Sequence, residues 1–131
     1  MNYGKNFFSL FCLLILISCG NQTPKRFPNK RSEMAVAMRN MTDAMLKTKS
    51  SLTQSEITLL KFKSFKNKKF TDTSFESDWF ANMSDVLLNN AKYFDNNPSI
   101  ETFHTVVQTC QSCHENTCPG PLQQIQDLYI E

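Results

Sequence analysis

Apolar residues recur at helical spacing through most of this chain. Ser32 is suited to cap a first helix with Glu33 in its first turn. The apolar positions of this helix fall within about 60° of arc. They are Met34, Met38, Met41, Met45 and Leu52. Thr53 and Glu56 resemble a capping box, which predicts a second helix running through Ile57, Leu59, Leu60, Phe62 and Phe65.

Two more helices are predicted in the second half of the chain. The third runs from Phe75 to about Phe94, and its apolar face holds Phe75, Trp79, Met83, Val86, Leu87, Asn90 and Phe94. The fourth starts with Asn97 as cap and Pro98 in its first turn, and Pro119-Gly120-Pro121 ends it. One side of it, within about 140° of arc, carries Ile100, Phe103, Val106, Val107, Cys110, Cys113 and His114.

Breaker residues are rare between these helices, and alternating β-branched runs are absent. Between Pro28 and Pro119 the only proline is Pro98. Leu122, Ile125, Leu128 and Ile130 then allow the C-terminal tail to pack back on the helices. We therefore predict an all-α fold, an antiparallel four-helix bundle.

The N-terminus indicates export. One lysine precedes an uncharged apolar run, Phe7 to Ile17, which is too short to span a bilayer and is typical of a signal peptide. Leu16-Ile17-Ser18-Cys19 resembles the bacterial lipobox, in which the cysteine is lipidated and becomes the new N-terminus. The alternative is an ordinary signal peptide in which Cys19 is incidental. We predict a signal peptide over 1–18, a tether over 19–30 and a domain over 31–131, and Asn21 favours the outer membrane over the inner.

The charge balance does not indicate nucleic-acid binding, because 14 basic residues meet 12 acidic ones. Five lysines do lie between Lys61 and Lys69. A solvated surface is the simpler interpretation, and a docking patch for an acidic partner or anionic lipid is the alternative.

The candidate chemistry lies in Cys110-Gln-Ser-Cys113-His114. A structural zinc site would need Cys110, Cys113, Cys118 and His114 to converge, which adjacent residues on one helix do not favour. A redox dithiol usually lies at the N-terminus of a helix that follows a strand, which is not where this motif is predicted. C-x-x-C-H is the signature of covalent haem c, with the two cysteines forming thioethers and His114 binding iron. Haem attachment takes place outside the cytoplasm, which agrees with the predicted export.

A C-x-x-C-H motif near the C-terminus of a helical chain resembles the cytochrome c-prime family, over roughly residues 31 to 118. The resemblance implies one haem c on the last helix, with the other side of the iron facing the first. In one branch a methionine of the first helix binds iron, which implies Met38 here, because "AMR" matches Met followed by a basic residue. Met34 and Met41 are alternatives one turn away, and Met34 stands where the family commonly has arginine. Arg39 and Arg31 are candidate contacts for the haem propionates, and family members are often dimers, so a homodimer is one expectation.

Two functions follow from these expectations. The first is electron transfer by a membrane-anchored cytochrome with redox partner proteins and no enzymatic reaction. The second is binding of NO or CO, as sensor or scavenger, by five-coordinate iron in the other branch of the family. An accessory subunit that relays electrons inside a larger complex is a third reading. The "ENTCPGP" segment after the motif also looks like a group of exported lipoproteins that carry Cys and Pro-Gly-Pro there.

Overall fold

The computed structural model describes residues 31–54 and 56–131, and Arg31–Glu131 form one compact unit. Its helices are α1 (Glu33–Thr53), α2 (Asp78–Asn96), α3 (Ile100–Asn116) and the short α4 (Leu122–Gln126), with a 3₁₀ turn at Thr73–Phe75. No strand occurs in the described part of the chain, so the predicted all-α class is confirmed. None of these helices is long and apolar enough to cross a bilayer. The predicted signal peptide, Cys19 and the tether lie outside the described residues.

Each long helix begins at a serine whose hydroxyl accepts a backbone N–H of the first turn. Ser32 caps α1, as predicted, by accepting from the Ala35 N–H at 3.1 Å. Ser77 caps α2. The cap of α3 is Ser99 and not the predicted Asn97, because Ser99 and Thr102 form a reciprocal capping box, each side chain accepting the other's backbone N–H at 3.1 Å.

The predicted second helix is wrong. Thr53 is the last residue of α1, and residues 56–70 form no regular helix. The Thr48 hydroxyl donates to the Thr58 carbonyl, and the Thr58 N–H donates to the Ser51 hydroxyl, both at 3.0 Å. Apolar and polar residues alternate in Leu60-Lys61-Phe62-Lys63. This alternation suits an extended chain of which one side packs on the core.

This extended segment runs along α2 from the C-terminal end of the helix towards its N-terminal end. The Asp95 carboxylate accepts the N–H groups of Leu60 and Lys61 at 2.7 and 2.9 Å. Further along, Lys66 and Asp85 form an ion pair at 2.7 Å. At the far end the Phe80 ring contacts the rings of Phe65 and Phe70, with centroids 6.0 and 4.7 Å apart. The extended segment therefore packs its apolar residues against α2, in the place of the second helix that the sequence pattern predicted.

Helices α2 and α3 pack directly against each other. Phe94 contacts Phe103 edge to face at 5.9 Å, and the Asn90 amide donates to the Thr109 hydroxyl at 2.9 Å. The buried face of α2 consists of Phe80, Ser84, Leu87, Ala91 and Phe94.

This buried face is rotated from the predicted one, because Trp79 and Val86 remain 39% and 44% exposed. Small residues explain the rotation. Ser84 and Ala91 let neighbouring elements approach closely, and the Ser84 hydroxyl is satisfied by the Phe80 carbonyl at 2.8 Å.

The C-terminal tail packs back on the helices, as predicted. Ile125 of α4 and Leu128 are buried in the core. The Lys49 ammonium of α1 donates to the carbonyls of Asp127 and Tyr129, each at 2.7 Å. The tail thus connects α1 with α3, on which α4 packs.

Candidate functional site

The C-x-x-C-H motif lies in the last two turns of α3. Cys110 and Cys113 are one turn apart, half-buried, and packed against the hydrophobic core. The same side of the helix buries Phe103, Val106 and Val107 completely. Cys110, Cys113 and Cys118 are all free thiols. The two motif cysteines therefore offer both sulfurs on the inward side of one helix, as predicted.

The environment of these thiols does not suit dithiol redox chemistry. Burial raises the pKa of the Cys110 thiol to about 12, and burial also raises the pKa of Cys113 against the opposing hydrogen bond from Thr117. Both residues lie towards the C-terminal end of α3, where the helix dipole disfavours a negative charge. A reactive dithiol needs a lowered thiol pKa, so the redox-dithiol interpretation loses its physical basis.

The zinc alternative was a cluster of the three cysteines with His114. Within residues 31–54 and 56–131, no group of three or more His, Cys, Asp or Glu side chains is arranged to hold a metal ion. Cys110, Cys113, Cys118 and His114 thus do not converge as a zinc site would require.

His114 is held by a backbone contact that the motif alone does not predict. Its Nδ1 lies 2.8 Å from the carbonyl oxygen of Cys118. Because a carbonyl can only accept, Nδ1 carries a proton, and in the neutral imidazole the free lone pair is therefore on Nε2. A histidine that binds a metal through one nitrogen commonly donates from the other in this way.

The carbonyl of Cys118 is available for this contact because α3 has already ended at Asn116. Pro119 follows, and proline has no N–H with which to continue the helix. Cys118 therefore contributes its main chain, while its side chain is exposed. The spacing of four residues to a carbonyl just before Pro119 is the sequence signal that could have indicated this contact.

The candidate methionines of α1 differ in their surroundings. Met34 is 7% exposed and belongs to the core, where its backbone N–H also donates to the Lys69 carbonyl at 3.0 Å. Met38 and Met41 are half-buried and pack against the same core as Cys110 and Cys113. Iron ligation by Met38, with Met34 and Met41 as alternatives, stays a prediction.

Both candidate propionate contacts lie at the surface. Arg31 precedes α1 and Arg39 lies within it, and each side chain is exposed. Their predicted contact with haem propionates stays a prediction.

The C-terminal tail adds residues that the motif search missed. The Tyr129 ring contacts the His104 ring at 5.1 Å, and its hydroxyl donates to the Gln111 side chain at 3.2 Å. The Ile130 N–H donates to Nε2 of His104 at 3.0 Å. Burial raises the pKa of Tyr129, and the nearby Cys110 thiol adds to the effect. The tail therefore closes the side of α3 next to Cys110.

An open cleft of about 270 Å³ lies between the start of α2 and the end of α3. Its lining is Ser74, Phe75, Ser77, Trp79, Asn116 and Thr117. The Thr117 hydroxyl donates to the Cys113 carbonyl at 2.8 Å, so the cleft opens one turn beyond the second motif cysteine. The tail thus covers α3 next to Cys110, and an open cleft with two aromatic lining residues lies just beyond the motif.

These residues fit covalent haem. Two free sulfurs one turn apart face the apolar core, and an imidazole whose Nδ1 donates to a backbone carbonyl follows directly. Neither the family models nor the curated proteins and solved structures compared with this chain gave a match. The functional conclusion therefore depends on Cys110, Cys113 and His114 themselves.

Proposed function

We propose that this chain is an exported, lipid-anchored c-type cytochrome that carries one haem and transfers electrons. The observation that supports this best is the orientation of His114. Its Nδ1–H donates to the Cys118 carbonyl, which leaves Nε2 as a ligand beside two free, inward-facing thiols.

The motif residues would hold the group in distinct ways. Cys110 and Cys113 would bind it through thioethers, and Nε2 of His114 would bind iron. When bound, haem supplies a centre that gains and loses one electron. The core around Phe103, Val106 and Val107 would exclude water from that centre, because these side chains have no exposed surface.

The second iron ligand in this proposal is Met38 of α1. Met38 and Met41 line the same core as the motif cysteines, and a thioether ligand raises the reduction potential relative to a second nitrogen ligand. Arg39 and Arg31 would contact the haem propionates in this proposal, and their exposed side chains are compatible with that role. The bundle in this proposal is antiparallel, with haem on the last long helix, and the extended segment of residues 56–70 takes the place of its second helix.

Anchoring through Cys19 would keep the domain beside redox enzymes of the membrane. Electron transfer needs only a buried, rigid centre and a partner that docks, so the proposal includes no enzymatic reaction. Acidic redox proteins and a second copy of the chain are the partners that the sequence allows.

Optical spectroscopy tests the iron ligands. The lipidated protein, produced with a haem-attachment system, should give a low-spin ferric spectrum with the far-red band of methionine ligation, and CO should not change the reduced spectrum. Met38→Leu should abolish that band, while Met34→Leu and Met41→Leu keep it. Met45→Leu is the matched control, because Met45 lies on the same stripe and is 2% exposed in the core.

Two other outcomes of this test would change the assignment of the second iron ligand. Loss of the band in Met34→Leu or Met41→Leu alone would move the ligand by one turn. A high-spin spectrum with prompt CO binding would contradict methionine ligation and support the gas-binding alternative.

A further inference from the structure

The extended segment carries a row of exposed lysines along the domain, interrupted in its middle by one ion pair. Lys61, Lys63, Lys68 and Lys69 are exposed, whereas Lys66 is paired with Asp85. No acidic residue interrupts this stretch of the sequence. We call these four exposed residues the lysine strip.

Aromatic packing sets the direction in which the strip faces. Phe65 is 3% exposed, and both Phe65 and Phe70 contact the ring of Phe80 on α2. The Asp95 carboxylate holds the other end through the N–H groups of Leu60 and Lys61. Because the apolar residues face inward, the lysines between them are presented to solvent.

The strip ends beside the first turn of α1. The Ser32 and Thr71 hydroxyls are 2.7 Å apart. The Met34 N–H donates to the Lys69 carbonyl at 3.0 Å, and the Lys69 N–H donates to the Glu33 carboxylate at 3.3 Å. The Lys69 end of the lysine strip therefore lies next to Arg31, from which the chain continues towards Cys19.

The connection from that point to the lipid anchor is short and basic. Residues 20–30 separate Cys19 from Arg31, and they contain Lys25, Arg26 and Lys30 but no acid. Eleven residues reach at most about 40 Å when fully extended. The Lys69 end of the strip would therefore stay within about that distance of the membrane surface, where basic side chains are attracted to anionic lipid.

We infer that the lysine strip docks on anionic phospholipid headgroups and sets how the domain lies on the membrane. This inference rests on the lipid anchor at Cys19 in the proposed function. Lipid is favoured over an acidic protein because the anchor holds the strip at the bilayer permanently, whereas a partner must first be encountered. Asp72, Glu76 and Asp78 follow the strip in the chain, so contact is expected at residues 61–69 and not at 72–78.

Hydrogen exchange on the lipidated protein in vesicles tests the inference. Vesicles of phosphatidylcholine alone are compared with vesicles that also contain phosphatidylglycerol. Amides of residues 61–70 should exchange more slowly only with phosphatidylglycerol, and high salt should remove the difference. Amides of residues 72–78 should not change, which makes them an internal reference.

Charge variants provide the matched comparison. The combined change Lys61→Gln, Lys63→Gln, Lys68→Gln and Lys69→Gln should remove the effect of phosphatidylglycerol. Lys47→Gln with Lys92→Gln, two exposed lysines on α1 and α2, should keep it. In the mature chain with Cys19→Ser, which cannot carry the lipid, each Lys→Gln change in the strip should lower partitioning onto phosphatidylglycerol vesicles roughly fivefold.

Two results would overturn the inference. One is equal exchange at residues 61–70 in both kinds of vesicle, and the other is a loss of the phosphatidylglycerol effect in the control variant that is as large as in the strip variant. Neither measurement uses haem, so both stand apart from the failure of the cytochrome proposal. The mass of the N-terminal peptide shows separately whether Cys19 is lipidated, and an unlipidated Cys19 would overturn the membrane-orienting role.

Discussion

Lys49 is the point at which α1 holds the C-terminal tail against α3. Its ammonium donates to two main-chain carbonyls, of Asp127 and Tyr129, both at 2.7 Å. The Lys49→Met substitution keeps an apolar side chain of similar length and removes both hydrogen bonds. We therefore expect the tail, and with it the side of α3 next to Cys110, to loosen.

The size of the effect follows from the surroundings of the two bonds. The bond to Tyr129 is partly buried, and a hydrogen bond to a charged group typically contributes about 1.5–3 kcal/mol. The bond to Asp127 is exposed and adds little. The substitution should lower the free energy of unfolding by about 2 kcal/mol, which corresponds to a Tm lower by roughly 8–16 °C in a domain of this size.

Urea unfolding at matched haem occupancy measures this difference. Lys47→Met is the control, because Lys47 is exposed on the same helix and such substitutions usually change stability by less than about 0.5 kcal/mol. If Lys49→Met and Lys47→Met unfold at the same urea concentration, Lys49 does not hold the tail.

Four further predictions concern the extended segment and the cysteines. Asp95→Ala should lower the free energy of unfolding by about 2 kcal/mol, because the Leu60 and Lys61 N–H groups lose their acceptor. The control is Asp78→Ala on the exposed start of α2, which should lower it by about 1 kcal/mol or less in the same urea titration. In the haem-free chain, iodoacetamide should label the exposed Cys118 well before Cys110, and peptide mass spectrometry would contradict this if Cys110 reacted first. The free energy of unfolding of the same haem-free chain should fall as pH rises from 9 to 12, by up to about 1.4 kcal/mol per pH unit. The reason is that the Cys110 thiol loses its proton at lower pH in the unfolded chain than in the folded one. A free energy of unfolding that does not change with pH would count against the raised pKa. Cys118→Ser should leave the haem spectrum unchanged, because only the backbone carbonyl contacts His114, and an altered spectrum would show that the thiol itself matters.

The parts of the fold that local chemistry determines were predictable from the sequence. Ser32 begins α1 because its hydroxyl meets an unpaired N–H of the first turn, and Phe103, Val106 and Val107 are buried because their helical spacing leaves one apolar side. The C-x-x-C-H motif lies on that side for the same reason.

The errors arose where tertiary contacts replaced local preference. Thr53 and Glu56 resemble a capping box, but the hydroxyls of Thr48 and Ser51 bind the Thr58 backbone and hold the chain extended. In α2, helical periodicity alone could not decide between the two neighbouring faces. The small side chains of Ser84 and Ala91 determined which one is buried.

The site was predictable to a similar extent. Residue types and spacing placed Cys110 and Cys113 one turn apart on the core side of α3, and haem binding by these residues and His114 stays a prediction. The motif alone did not indicate which imidazole nitrogen donates, since that depends on the Cys118 carbonyl beyond the end of α3, and only the position of Pro119 hinted at this contact. Nor did the motif indicate the tail residue Tyr129, because its contact with the His104 ring joins parts of the chain that no motif relates.

Covalent haem on α3 is the central claim, and mass spectrometry of the purified protein tests it most directly. After production with a haem-attachment system and unfolding in acid, the chain should retain the mass of one haem, on the peptide that contains Cys110 and Cys113. Cys110→Ala with Cys113→Ala should lose it, while Cys118→Ser should keep it. A wild-type chain without bound haem under these conditions, or with haem on a different peptide, would contradict the account.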